Sequence, residues 1–205
     1  MDATGDGAQR LYLIRHGQTA LNAAGRLRGL ADPPLDAHGH AQAARLGERF
    51  AGSGAVAVYS SPLQRAVQTA EAVAGPLGLA PIVDADFNDR DYGQWTGQVR
   101  LEVVAAFGRV DDAPGVEKKA TVLVRARPAV ERVLDAHPGG DVVVVTHDVV
   151  IRQVVHAIDP RAPHGHLRTA TWTLLERDAD GAWTVHEVGR RGALPGAGDS
   201  PPSDA

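Results

Sequence analysis

Asp141-Val142-Val143-Val144-Val145-Thr146-His147 is the stretch on which the fold turns. Four successive β-branched apolar residues without polar alternation describe a strand buried on both faces, as in a parallel sheet. A helix is expected directly after it, through Ile158. Near the start of the chain residues 11–14, Leu-Tyr-Leu-Ile, repeat the pattern and stop at Arg15-His16-Gly17, with a helix expected to follow. Residues 36–51 carry Ala43, Leu46, Gly47 and Phe50 at helical spacing behind Asp36 as a cap. Residues 55–59 read as a second buried strand, and Ser61-Pro62 as the opening of a helix to about Gly75 with proline at its first position. Residues 81–83 suggest a third strand. Residues 98–107 and 120–136 suggest helices, the latter bent or divided at Pro128. Residues 171–175 and 183–188 flank Asp178 to Gly181 as a hairpin. From Arg190 onward Gly, Pro, Ser and Asp dominate, and a disordered tail is expected over residues 190–205 after one domain over residues 1–189. Strands alternating with helices predict an α/β fold, a mostly parallel sheet covered on both faces. Its ligand crevice lies outside the carboxyl ends of the strands.

The composition narrows the chemistry. The 205 residues suit one domain. Lys and Arg number 21 against 25 Asp and Glu, a net charge of −4, which argues against a nucleic-acid or anionic-membrane surface. With no cysteine, disulfides, thiol nucleophiles and Cys-ligated metals are excluded together. The first ten residues lack a basic segment followed by an apolar one, so no secretory signal is expected and cytoplasmic residence is the default. No apolar run approaches the ~18 residues of a membrane span.

His16 follows the first strand and His147 follows the valine strand, so in a parallel sheet the two open on one edge. Arg15 flanks His16, and Arg65, early in the helix after the second strand, reaches the same edge. Two His and two Arg beside helix N-termini suit a phosphoryl group and repel a cation. A neutral imidazole can attack phosphorus to give a phosphohistidine, with the surrounding cations stabilising the charge in flight. No metal and no cofactor are expected. His38, His40, His137, His156, His164, His166 and His186 read as surface or capping residues, and His164-Gly165-His166 as a solvated loop rather than a metal clip.

A departing alkoxide needs a proton. Asp89, in the polar Asn88-to-Gly93 loop, is the preferred donor. Asp148 is the alternative acid, at a helix N-terminus whose dipole lowers its pKa and favours a capping role.

Taken together, Arg15-His16-Gly17-Gln18-Thr19 with Asn22 and Arg26, then Ser60-Ser61-Pro62-Leu63-Gln64-Arg65-Ala66 with Gln68-Thr69-Ala70, then Tyr92-Gly93-Gln94-Trp95 with Gly97, then Thr146-His147 with Ile151-Arg152, resemble the histidine phosphatase superfamily, in the branch of the phosphoglycerate mutases. The resemblance implies a three-layer α/β/α sandwich with an antiparallel edge strand. It implies His16 as nucleophile, Arg15, Arg65 and His147 as the phosphate pocket, Asn22 and Thr19 as phosphate or substrate contacts, and Asp89 where the family commonly has Glu. Asp148 stands where this branch usually has Gly and where acid phosphatases of the other branch have Asp. Thr96 replaces a frequent Glu, and Gly115-Val116-Glu117-Lys118 replaces the usual Gly-Gly-Glu-Ser. Lys118, Lys119, Arg100 and Arg109 read as solvated side chains rather than a second anion site.

The expected function is a metal-independent phosphomonoesterase acting on a small-molecule phosphate ester, with neither nucleic acid nor membrane as partner. A phosphoglycerate-type mutase is the alternative, disfavoured by the short segment between Gly97 and Pro114. A non-catalytic phospho-ligand-binding module is the alternative of another class. Natural substrate and oligomeric state, a homodimer included, stay open.

Overall fold

The computed structural model describes residues 7–163 and 165–195. Its elements are β1 (Gln9–Arg15), α1 (Ala20–Ala23), α2 (Ala37–Phe50), β2 (Ala57–Ser60), α3 (Gln64–Ala74), β3 (Ile82–Val83), α4 (Arg100–Phe107), α5 (Lys119–Asp135), β4 (Val142–Thr146), α6 (Asp148–Ile158), β5 (Trp172–Arg177) and β6 (Trp183–Arg190). The strands form one sheet in the order β3-β2-β4-β1-β5-β6. β3, β2, β4 and β1 are mutually parallel where they pair, while β5 runs antiparallel to β1 and β6 antiparallel to β5. The antiparallel edge is therefore a hairpin, reversed at β5 and turned back at β6.

The valine run divides as a strand of period two must. Val142 and Val144 pack with Leu11 and Leu13 against α5 and α6, whereas Val143 and Val145 pack with Tyr12 and Ile14 against α2 and α3. All four valines are fully buried, each worth roughly 1.5–3 kcal/mol of apolar burial. Sheet and helices thus make the three expected layers. A smaller cluster of Leu27, Tyr92, Val103, Ala113 and Val116 attaches α4 and the segment after it to the strand-end loops.

Register fixes the site. In the β1–β4 pair Arg15 lies opposite Thr146, so His16 and His147 leave the sheet at one level. The His16 N–H still donates to Thr146 O at 3.1 Å. In the β2–β4 pair Ser60 lies opposite Val145, and the Ser61 N–H donates to Val145 O at 3.0 Å, which brings a third strand end to the same edge. The start of α2 presses on the loop after His16. A Cβ on Gly39 would stand 2.0 Å from Gln18 O, so only glycine permits this approach.

Several expectations are corrected. α3 begins at Gln64 with Leu63 as N-cap, so Pro62 precedes the helix; Ser61 still bonds to the sheet and cannot open it. The helix after β1 is a single turn, Ala20–Ala23. Pro128 sits inside α5 without dividing it; Val124, four residues earlier, is 74% exposed, so the carbonyl that loses its N–H partner lies towards water. The tail expected from Arg190 starts too early, because Arg190 closes β6 and Leu194 is buried against the α2–α3 face. Residues 196–205 lie outside the described residues. Among the described residues no helix is long and apolar enough to cross a membrane.

Candidate active site

Four residues singled out from sequence converge at the sheet edge. His16 and His147 are buried, with ring centroids 5.1 Å apart. His16 Nδ1 lies 2.6 Å from Gly17 O. A carbonyl can only accept, so the proton sits on Nδ1 and Nε2 presents its lone pair. Arg65, in the first turn of α3, donates from Nε to that Nε2 at 3.3 Å. The rest of its guanidinium is held by Ala31 O at 2.7 Å, Gly29 O at 2.8 Å and Asp89 Oδ2 at 3.1 Å. Arg15 donates to Leu167 O, while its Nε is buried with no partner among the described residues. His147, the N-cap of α6, meets Ser61 Oγ through Nε2 at 2.9 Å, and its buried Nδ1 has no hydrogen-bond partner.

Electrostatics keep this cluster neutral at the imidazoles and positive around them. Burial, then Arg65 and Arg15, hold His16 well below the ordinary histidine range. Burial, then Arg65 and His16, do the same to His147. Burial lowers Arg15 to about 10, with Arg28 the next cause, which leaves it charged at neutral pH. Tyr92 is pushed up to about 12 by burial and then by Asp89.

The two neutral imidazoles make stability depend on pH. The unfolded chain takes up a proton on each near pH ~6.5, and the folded chain does not until its depressed pKa is reached. Stability is therefore complete above that pH and falls as pH drops below it, by up to about 1.4 kcal/mol per pH unit for each histidine. Urea unfolding of wild type and His147→Asn at several pH values below ~6.5 should give the variant the shallower loss. Equal slopes would contradict the neutral assignment of His147.

Asp89 is 3% exposed at the edge of this cluster. Its Oδ2 binds Arg65 and stands 3.7 Å from His147 Nδ1, and its Oδ1 accepts the Arg90 N–H at 2.8 Å. Asp148, the first residue of α6, also lines the cleft but makes no side-chain hydrogen bond or ion pair with His16, His147 or Arg65 among the described residues. It accepts the Leu167 N–H at 2.8 Å and meets His166 Nδ1 at 2.9 Å. Burial opposes its ionisation, but His166 and Arg15 outweigh that and leave its pKa lowered. His166 is thus engaged with the site and is not a simple solvated loop residue. His164 lies outside the described residues.

Asn22 lines the cleft. Thr19 is fully buried, and its hydroxyl caps α1 and donates to Asn22 Oδ1 at 2.9 Å, so it orients Asn22. Three participants escaped the sequence reading. Ser61 looked like a helix cap and instead bonds His147. Arg28 lines the cleft, its Nε buried and unpartnered among the described residues, and its charge bears on both histidines. His38, read as a surface residue, also lines the cleft, whose volume is about 370 Å³. Nothing in the spacing of Arg28 or His38 announces this. Lys119 and Arg109 are bound by Asp111 at 2.6 and 2.9 Å, whereas Arg100 faces the cleft. Among the described residues no group of three His, Asp or Glu could hold a metal ion.

Residues 11–190 match the model of the histidine phosphatase superfamily, branch 1. The chain belongs to this family. It is 34% identical over 201 residues to the bifunctional protein Rv2228c of Mycobacterium tuberculosis, with 90% of this chain and 55% of that protein covered, so it spans about half the length of that relative. Phosphoserine phosphatase 1 of Hydrogenobacter thermophilus is 33% identical over 159 residues, covering 73% of this chain and 75% of that one. The structure of a mycobacterial glucosyl-3-phosphoglycerate phosphatase in complex with VO3 superposes with a TM-score of 0.78 at 26% identity, covering 89% of this chain and 99% of the other. Within this histidine phosphatase fold, Arg65 and Ser61, whose side chains hydrogen-bond His16 and His147, come from the first turn of a helix and from a strand end.

Proposed function

We propose that the chain is a metal-independent phosphomonoesterase that works through phosphohistidine on a small phosphorylated metabolite. One observation carries this reading: the Nδ1 contact to Gly17 O leaves the His16 lone pair on Nε2, where among the described residues it meets only the Nε donor of Arg65 and faces His147. Incoming phosphate oxygens would replace the Arg65–His16 contact and take the guanidiniums of Arg65 and Arg15, which supply charge where the transferred phosphoryl needs it. Nε2 then bonds to phosphorus as the ester P–O bond breaks, and the leaving oxygen takes the proton that Asp89 carries once phosphate oxygens have drawn Arg65 away from its Oδ2. Water next attacks phosphorus and gives its proton back to Asp89, the N–P bond breaks, and inorganic phosphate leaves with His16 restored. Asp89 is favoured over Asp148 as donor because it lies beside His147 and its cationic partner, Arg65, is one that incoming phosphate takes over, while Asp148 is held by Leu167 and His166. The cationic surroundings of His16 favour anion over cation binding, which supports metal independence.

The phosphatase names of the relatives agree with hydrolysis. The assay is phosphate release from 4-nitrophenyl phosphate, phosphoserine and 3-phosphoglycerate in excess EDTA. Release at the same rate with and without EDTA is the expected result. Isomerisation of 3-phosphoglycerate with little release would turn the reading to a mutase, and binding of phosphate without turnover would turn it to a non-catalytic module.

A further inference from the structure

The catalytic cleft continues beyond the catalytic residues. Past His38, Gln42 and Thr169, which line it, a groove of about 120 Å³ runs along α2, walled by Arg45 and Arg49 and faced by Arg191. His38, Gln42, Arg45 and Arg49 stand at i, i+4, i+7 and i+11, one face of a helix. Arg191 comes from the far end of the chain, so the convergence is tertiary and not a run of charges on one element. Among the described residues no carboxylate lines this groove.

Exposed arginines on a helix are ordinarily solvated or paired, as Arg132 of α5 is with Asp84 and Asp86. Arg45 and Arg49 have no carboxylate partner among the described residues, and Arg191 has only a 3.4 Å bond to Thr169 O. In a chain where acidic residues outnumber basic ones, 25 to 21, a concave wall of one sign is selective placement.

We propose that this groove is a second anion subsite, taking a distal phosphate of an elongated bisphosphorylated substrate whose other phosphate reacts at His16. The proposal rests on the phosphatase reading and names its substrate class. Guanidinium forks bind a phosphate dianion bidentately, and three without carboxylate partners surround one small space. The span follows from the helix. Gln42 Oε1 accepts the Gln18 N–H at 2.9 Å, so the near end of the groove touches the loop of the nucleophile. Arg45 and Arg49 lie three and seven residues further on, about 4.5 and 10 Å along α2. The groove thus extends about 10 Å from its Gln42 end to Arg49, so a substrate that reaches it from His16 needs a skeleton of at least that order, such as a flexible linker of about eight carbons.

The test measures calorimetric binding to the full chain of two non-hydrolysable probes, an eight-carbon α,ω-bisphosphonate and the matching ω-hydroxy monophosphonate. The bisphosphonate should bind about tenfold tighter or more. Arg45→Ala/Arg49→Ala, and separately Arg191→Ala, should shrink that ratio, the double variant to near one. Arg161→Ala, which removes a 94% exposed arginine paired with Asp159, should preserve it. Equal affinities in wild type, or a preference that survives the double variant, overturn the subsite. Hydrolysis of 4-nitrophenyl phosphate by the same preparation separates the two readings. Activity with equal affinities overturns the subsite alone, whereas a bisphosphonate preference without hydrolysis supports the subsite and overturns the phosphatase.

Discussion

His16→Ala lowers kcat on every phosphomonoester by about 10⁴-fold or more, with the fold intact. The size of the effect follows from what the side chain supplies. Its Nε2 carries a lone pair beside Arg15 and Arg65, which are donors only and cannot attack phosphorus. Without it, water must attack the ester directly, helped only by the remaining cations. Phosphate binding survives in the variant because those cations remain. The check is steady-state release of phosphate beside a phosphate titration of the same sample. A variant that retains a tenth of wild-type turnover would contradict the nucleophile assignment.

Asp89→Asn divides substrates by leaving group. On alkyl phosphates, whose alkoxide needs a proton as it departs, kcat should drop by about 10²–10⁴-fold. On 4-nitrophenyl phosphate, whose leaving group departs as the anion, the loss should stay within about tenfold. Asparagine keeps one of the two oxygens and so only one of the Arg65 and Arg90 contacts, but that loss bears on both substrate kinds, and their comparison within one variant isolates the proton. Asp148→Asn serves as the counterpart. Because its carboxylate holds the Leu167 N–H and His166, its loss should affect both substrate kinds alike. If Asp148→Asn shows the leaving-group dependence and Asp89→Asn does not, the two roles are exchanged.

Much of this was legible in the sequence, and the limits have physical causes. A run such as Val142–Val145 can be satisfied only by burial on both sides, so its place at the centre of the sheet follows from composition alone. Once two such strands are parallel and in register, His16 and His147 must meet, and Arg65 follows because its helix starts at the neighbouring strand end. The role of Ser61 was hidden because Ser before Pro reads equally as a cap, and only the position of His147 across the sheet tells them apart. Arg28 carries no local signal, since its effect arises from the loop folding back over Arg65 and Asp89. Asn22 lines the cleft whereas Thr19 is buried as the cap of α1, a difference the spacing does not carry because a capping box and a phosphate loop draw on the same small polar residues. The order of residues up to Leu194 was missed for a similar reason: one leucine and one carbonyl, Gly192 O accepting the Trp172 indole N–H at 3.2 Å, hold a segment whose composition reads as tail.

The account stands on a covalent bond between phosphorus and His16. Rapid quenching of the full chain with a ³²P-labelled phosphomonoester, followed by peptide mapping, measures it directly. The predicted result is an acid-labile, alkali-stable label on the peptide carrying Arg15-His16-Gly17, attached at Nε2 and absent from His16→Ala. A label on another residue, or rapid turnover with no labelled protein at any quench time, would contradict it.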